Sequence, residues 1–156
     1  GLESGNQEIL DKANKEITLD KYEEAIHMAK RVGIMTQGFF VFGLPGETKE
    51  TIKNTINFAK SIPLDRAQFL LLDVFPGSQL WDDLNYQDKV DWTRDSYHET
   101  TWIPETIDPV TLSQAPSKGF KSFFFRPGPM FSLVKYFRLS QLPFVLKRMS
   151  DFKIIK

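Results

Sequence analysis

Apolar residues recur along the first eighty positions with two different periods, and the two alternate. Ile9, Leu10 and Ala13 fall at helical spacing after Ser4-Gly5-Asn6-Gln7, a Ser-x-x-Gln string with the form of a capping box. Leu19, Tyr22, Ile26, Ala29 and Val32 share one face of a second helix, while Lys21, Glu24, His27 and Lys30 point elsewhere. Thr18 is placed to cap that helix, and Gly33 to stop it in the left-handed conformation. The run 34–42 is apolar, β-prone and too short for a helix, so it predicts a buried parallel strand ended by Gly43-Leu44-Pro45-Gly46.

The pattern then repeats. Thr48 caps a helix with Ile52, Ile56 and Ala59 as its stripe, Glu47 and Glu50 suit its positive end, and Pro63 stops it. Residues 67–74 predict the next strand, closed by Phe75-Pro76-Gly77-Ser78, with a short helix starting near Leu80. Helix, strand, loop, helix, strand, loop, helix is the order of βαβ units around a parallel sheet. The strands 34–42 and 67–74 are therefore expected to be adjacent and parallel.

Beyond Asn85 the periodicity fades. Trp92, Tyr97 and Trp102 are scattered among polar residues and Pro104 breaks the stretch, so 86–117 reads as an irregular aromatic wrap. Asp108-Pro109 reads as a cap and first helical residue, but Pro116 and Gly119 interrupt the residues after it, and no helix is assigned there before Phe120. From Arg126 onward two short basic helices are expected, separated near Ser140 to Pro143.

Composition narrows the classes. Of 156 residues, 41% are hydrophobic and 26% charged, which fits neither a disordered nor a collagen-like chain. Twenty basic and twenty acidic side chains cancel, which argues against whole-molecule attraction to nucleic acid or to an acidic membrane. The charge is unevenly placed: residues 118–156 hold nine Lys/Arg against one Asp, a net of +8, leaving the first 117 residues at −8. With no cysteine, disulfides, thiolate nucleophiles, Cys-bound zinc and Cys-held iron–sulfur clusters are excluded for this chain. No uncharged apolar run approaches the roughly 20 residues of a membrane span, and no signal-peptide pattern opens the chain. The start lacks Met and falls as though inside an element, so a fragment is expected.

Candidate chemistry sits in the loops. Gly43, Gly46 and Gly77 allow close backbone approach, and Pro45 and Pro76 stiffen the two loops after the predicted strands, where α/β folds place ligands. Tight strand-to-helix turns would need the same residues, and the two readings stand side by side. Glu3 and Ser4 offer a carboxylate for a ribose diol or ammonium and a hydroxyl, although helix capping explains Ser4 and a surface position explains Glu3. His27 falls on a polar face and His98 beside Glu99; two distant histidines make no metal-ligand spacing, and no serine sits in a nucleophile elbow. The tail interleaves aromatics, Phe120, Phe123 and Phe131 among them, with its nine bases. That composition suits an anionic lipid surface or a nucleic-acid strand, yet packing inward on the acidic remainder of the chain is the favoured reading.

Taken together, Gly1-Leu2-Glu3-Ser4-Gly5, the stretch from Gly38 to Thr48 and Phe75-Pro76-Gly77-Ser78 resemble the second half of radical S-adenosylmethionine enzymes, in the class with a cobalamin-binding domain ahead of the radical domain. The resemblance covers residues 1–85 and extends to the Arg126-Pro127 step. It implies an α/β fold, the C-terminal half of a partial (β/α)6 barrel from the end of strand four, with 86–117 as wrap and 118–156 as a basic helical extension. It places Glu3 and Ser4 near the ribose or methionine part of S-adenosylmethionine. Phe42, Gly43, Leu44, Pro45 and Gly46 would flank the nucleoside, and Val74, Phe75, Pro76 and Gly77 would offer backbone to the adenine.

The family's CxxxCxxC loop and its 4Fe-4S cluster cannot be supplied by a chain without cysteine. The expectation is a piece of a cytoplasmic enzyme, with a peripheral membrane contact as a secondary reading. Its partner would be the missing N-terminal half, which would carry the metal-binding cluster and cobalamin. It would act in methylation, cyclisation or rearrangement of a small-molecule or lipid-like substrate and be inactive alone. The rival reading is a non-catalytic half-barrel interaction module whose tail contacts membrane or a partner protein.

Overall fold

The computed structural model describes residues 1–85, 100, 102–130, 140 and 143–144. In chain order the elements are α1 (Gln7–Lys12), α2 (Leu19–Arg31), β1 (Gln37–Phe42), α3 (Lys49–Ser61), β2 (Arg66–Leu71), α4 (Gln79–Asp83) and α5 (Pro109–Phe124). β1 and β2 pair in parallel, from Gln37 opposite Arg66 to Phe42 opposite Leu71, as the two apolar runs led us to expect. On the far edge of β1, Glu3 forms a parallel bridge with Phe40; the Leu2 and Glu3 N–H groups donate to the Phe39 carbonyl, and Val41 N–H donates to the Glu3 carbonyl.

Alternation decides which face is buried. Phe40, Phe42, Ala67 and Phe69 point to one side and are buried, whereas Gln37, Phe39, Arg66 and Gln68 face the other and are exposed. The buried face is covered by Ile52, Ile56 and Ala59 of α3 and by Leu112, Ala115 and Phe123 of α5. Phe69 is the centre of this layer: its ring stacks on Phe40 at 5.2 Å and Phe42 at 5.8 Å and meets Phe123 edge-on at 6.5 Å. Each such ring removed from water contributes about 2–3 kcal/mol, so the layer is the main source of stability. A smaller cluster, Val74 and Trp81 with Leu80, Leu84 and Trp102, fixes the chain where it leaves β2.

Several boundaries differ from the sequence reading, each for a physical reason. The cap of α1 is Asn6, whose side chain accepts the Ile9 N–H; Ser4 is instead buried against α3. β1 starts three residues later than the apolar run, because Ile34 and Met35 precede the point where Thr36 and Asp65 tie the two strands together, and both are exposed. β2 ends at Leu71 rather than at 74, where the chain turns toward the second cluster. On α2 only Ile26 of the supposed face is fully buried, and Val32 is exposed.

The largest correction is α5, one continuous helix from Pro109 to Phe124. Asp108 caps it through the Thr111 N–H, as expected, but Pro116 lies inside it and Gly119 in its buried face. Burial of Leu112, Ala115, Gly119 and Phe123 along one stripe outweighs the roughly 3 kcal/mol that an internal proline costs. The helix thus runs through residue 117, where the wrap and the basic extension were expected to meet, and the first part of the extension packs inward. Trp92, Tyr97, His98 and the basic helices expected after Arg126, apart from a helical turn over 127–130 and residues 140 and 143–144, lie outside the described residues.

Candidate functional site

Both Gly/Pro loops emerge at the same end of the sheet. After β1 the chain takes positive φ at Gly43 (97°) and at Gly46 (82°), conformations that glycine adopts without strain. Gly46 leaves room for Lys12 of α1, whose Nζ lies 2.8 Å from where a Cβ would stand. After β2, Gly77 is also at positive φ and Ser78 caps α4 through the Trp81 N–H.

Between the loops lies a cavity of about 380 Å³. Leu44 and Pro45 from the first loop and Val74 and Phe75 from the second form its apolar walls, together with Leu72 and Leu80. Its polar wall comes from elsewhere: Lys12 and Asn14 at the end of α1, and Ser78, Gln79 and Asp83 of α4. Asn14, itself at positive φ (53°), donates through Nδ2 to Gln79 Oε1 at 3.1 Å and closes one side. A volume near the lower end of small-molecule sites, apolar on one side and rich in donors and acceptors on the other, suits a flat heteroaromatic group bearing polar substituents.

The remaining candidates stand outside that cavity. Phe42 is fully buried in the core, and its carbonyl accepts the Leu72 N–H at 2.7 Å, so it anchors the loop's first residue. Gly43 donates its N–H to Glu47, and Pro76 and Gly77 are exposed at the tip of the second loop. Ser4 is buried, with its Oγ 3.1 Å from Thr55 Oγ1 and accepting the Asn6 N–H; Thr55 Oγ1 also accepts the Gly5 N–H. Glu3, at a positive φ of 60° rare for a non-glycine residue, is half-buried, and its carboxylate pairs with Lys15 at 3.2 Å. His27 is exposed beside Glu23.

Glu47 does more than the sequence reading gave it. It stands at the start of α3, as expected, but is wholly buried there. Its carboxyl accepts the Thr51 hydroxyl and the Gly43 N–H, and its own carbonyl accepts the Thr106 hydroxyl. Burial raises its pKa above the ordinary carboxylate value, against the opposing effect of those hydrogen bonds. Its carboxyl thereby holds the first loop to the start of α3, and its main-chain carbonyl adds the segment before α5. The only sequence signal was position: an acid directly after a Gly-Leu-Pro-Gly turn. Nothing in the sequence pointed to Lys12, Asn14 or Gln79, which meet across 65 positions.

Comparison with known proteins gives this geometry a context. Residues 1–59 match the family described as the Radical SAM superfamily. The chain is 32% identical over 139 residues to an uncharacterized methyltransferase of Pyrococcus horikoshii, covering 81% of this chain and 28% of that protein. It is 32% identical over 127 residues to an anaerobic magnesium-protoporphyrin IX monomethyl ester cyclase of Rubrivivax gelatinosus, covering 80% and 22%. It is 31% identical over 103 residues to a bacteriochlorophyllide d C-12(1)-methyltransferase of Chlorobaculum tepidum, covering 63% and 22%. The chain therefore spans less than a third of the length of these curated relatives.

Proposed function

We propose, from the match of residues 1–59 to the radical SAM superfamily, that this chain supplies the nucleoside-binding part of a radical S-adenosylmethionine enzyme. The fold would be the C-terminal half of a partial (β/α)6 barrel in the class that carries a cobalamin-binding domain. The observation that carries the reading is the cavity at the carboxyl ends of β1 and β2, where Leu44 and Pro45 face Val74 and Phe75. Relatives named as methyltransferases and a cyclase support radical modification of an organic substrate.

The residues present fit the two groups the family implies unequally. The chain has no cysteine, and among the described residues no cluster of three His, Asp or Glu side chains could hold a metal, so it does not fit a 4Fe-4S cluster. S-adenosylmethionine, when bound, supplies the family's radical precursor. This chain would sandwich its adenine between the two apolar loop walls, with Asn14 and Gln79 at the polar side. Exclusion of water by Leu44, Pro45 and Phe75 would strengthen each polar contact made there. Glu3 could meet a ribose diol or an ammonium only by exchanging its present partner Lys15.

Titrating the chain with S-adenosylmethionine and with adenosine, monitored by amide NMR, tests the reading. Shifts confined to Leu44, Val74, Phe75 and Gln79 are expected for both ligands, weakly, because nothing in this chain chelates the methionine end. Absence of any shift in those residues at saturating adenosine would remove the site and leave the interaction-module reading in its place.

A further inference from the structure

The opposite end of the sheet, where β1 and β2 begin, carries a second cavity of about 640 Å³. Its walls come from the end of α2, the loop into β1, the last turn of α3 and residues 126–129. Lys30, Lys60 and Arg126 stand on it against one carboxylate, Asp65, which is already held by Lys30 at 2.5 Å. Lys60 has no carboxylate partner among the described residues. Arg126 lies over the Phe123 ring at 4.5 Å and gives two of its five N–H donors to the Phe123 and Lys60 carbonyls; it too has no carboxylate partner among the described residues.

Apolar side chains left in water surround these cations. Ile34 is 58% exposed and Met35 49%, both on the cavity wall, while the neighbouring Val32 and Phe125 are 72% and 73% exposed. Exposed apolar residues scattered singly need no explanation, but a group at one pole around unpaired bases does. Val32 and Phe125 each sit beside a base in sequence, Arg31-Val32 and Phe125-Arg126, an interleaving suited to a planar anionic surface with an apolar interior. Beyond residue 130 the sequence continues with six Lys/Arg against one Asp, a bias of the same sign.

We propose that this pole is a docking surface for an anionic phospholipid bilayer, with Lys60 and Arg126 meeting lipid phosphates and Val32, Ile34, Met35 and Phe125 entering the headgroup boundary. This puts the candidate ligand cavity on the end of the sheet that faces away from the bilayer. The attraction is electrostatic at first approach and apolar at contact, so it requires both negative lipid and the exposed side chains.

Co-sedimentation of the full chain with vesicles of equimolar phosphatidylcholine and phosphatidylglycerol tests the proposal, beside vesicles of phosphatidylcholine alone. Binding to the mixed vesicles, weakened by salt and absent with phosphatidylcholine alone, is expected. Lys60→Ala should lower the partition coefficient about fivefold, and Ile34→Ser with Met35→Ser by about tenfold. Because these side chains are not packed in the core, both variants should keep the parent's unfolding midpoint, and Val32→Ser serves in place of the second should it not. Failure of the parent to bind mixed vesicles would overturn the proposal. So would full retention of binding by both variants, which would assign the contact to another face. Tighter binding to polyglutamate than to the vesicles would replace the bilayer with an acidic protein.

Discussion

Gly119 of α5 rests on the ring of Phe69 in β2: a Cβ at position 119 would fall 2.8 Å from both Cγ and Cδ1 of that ring. The backbone of the last described long helix thus touches the aromatic centre of the sheet, and the missing side chain sets the distance between the two layers. We predict that Gly119→Val lowers stability by about 2–3 kcal/mol, because neither the stacked ring nor the helix backbone can withdraw. Urea unfolding of the variant measures this, and an unchanged midpoint would mean that α5 does not press on β2.

The buried pair Ser4 and Thr55 ties the segment before α1 to α3, with Thr55 Oγ1 also accepting the Gly5 N–H at 3.0 Å. Thr55→Val keeps the shape but leaves a buried N–H and a hydroxyl short of partners. The predicted cost is about 1–3 kcal/mol. Asn6→Ala, which removes only the cap of α1, should cost about 1 kcal/mol. Finding the two costs reversed in urea unfolding would argue that Asn6, rather than the Ser4–Thr55 pair, is the main anchor of that segment.

Glu47 makes stability depend on pH in a direction opposite to most carboxyl groups. Its folded pKa is raised, chiefly by burial, so the folded state favours the protonated form more than the unfolded chain does. The resulting stabilisation is fully present below the unfolded carboxyl pKa and is lost as pH rises through the folded one. Glu47→Gln should flatten this decline and leave the variant less sensitive than the parent between weakly acidic and weakly alkaline buffer. Parallel thermal melts across that range decide the matter.

Asp65 works the other way. Desolvation acts to raise its pKa, but the Lys30 ammonium at 2.5 Å and the Thr36 N–H at 2.9 Å outweigh it and hold the carboxyl below its ordinary value. Its contribution is present above the unfolded pKa and disappears as pH falls through the folded one. We predict that Asp65→Asn costs about 1–3 kcal/mol at neutral pH and nothing at strongly acidic pH. A loss that is equal at both ends of the range, read from urea unfolding, would trace to packing rather than charge.

Periodicity and punctuation made part of the fold legible in the sequence. The parallel pair rested on two apolar runs, while the caps at Thr48 and Asp108 and the turn at Gly33 are local matters, settled by residues within a turn of each other. Long-range facts were not legible. Pro116 and Gly119 are helix breakers by propensity, and only the buried stripe of α5, with Gly119 on the ring of Phe69 fifty residues away, shows why a helix holds them. The apolar loop walls of the candidate site were visible because glycine and proline mark such turns, whereas Lys12, Asn14 and Gln79 belong to helix ends that meet only in the folded chain. The burial of Glu47 was not legible because, unlike position in a helix, burial of a single residue leaves no periodic trace.

Parallel pairing also dictates the order in which the structure can assemble. Every ladder partner of β1 lies 29 positions along the chain, from Gln37 with Arg66 to Phe42 with Leu71, so no tight turn can zip the strands together. The crossover through α3 must close a long loop before the first strand contact is rewarded, and the bridge from Glu3 to Phe40 waits on a span of 37 residues. Helix α3, which is capped by its own Thr48 and Thr51, is the one element between the strands able to shorten that search by forming early. Substitutions in its cap should therefore slow refolding as well as speed unfolding, while those in α5, which docks on a sheet already made, should act on unfolding alone.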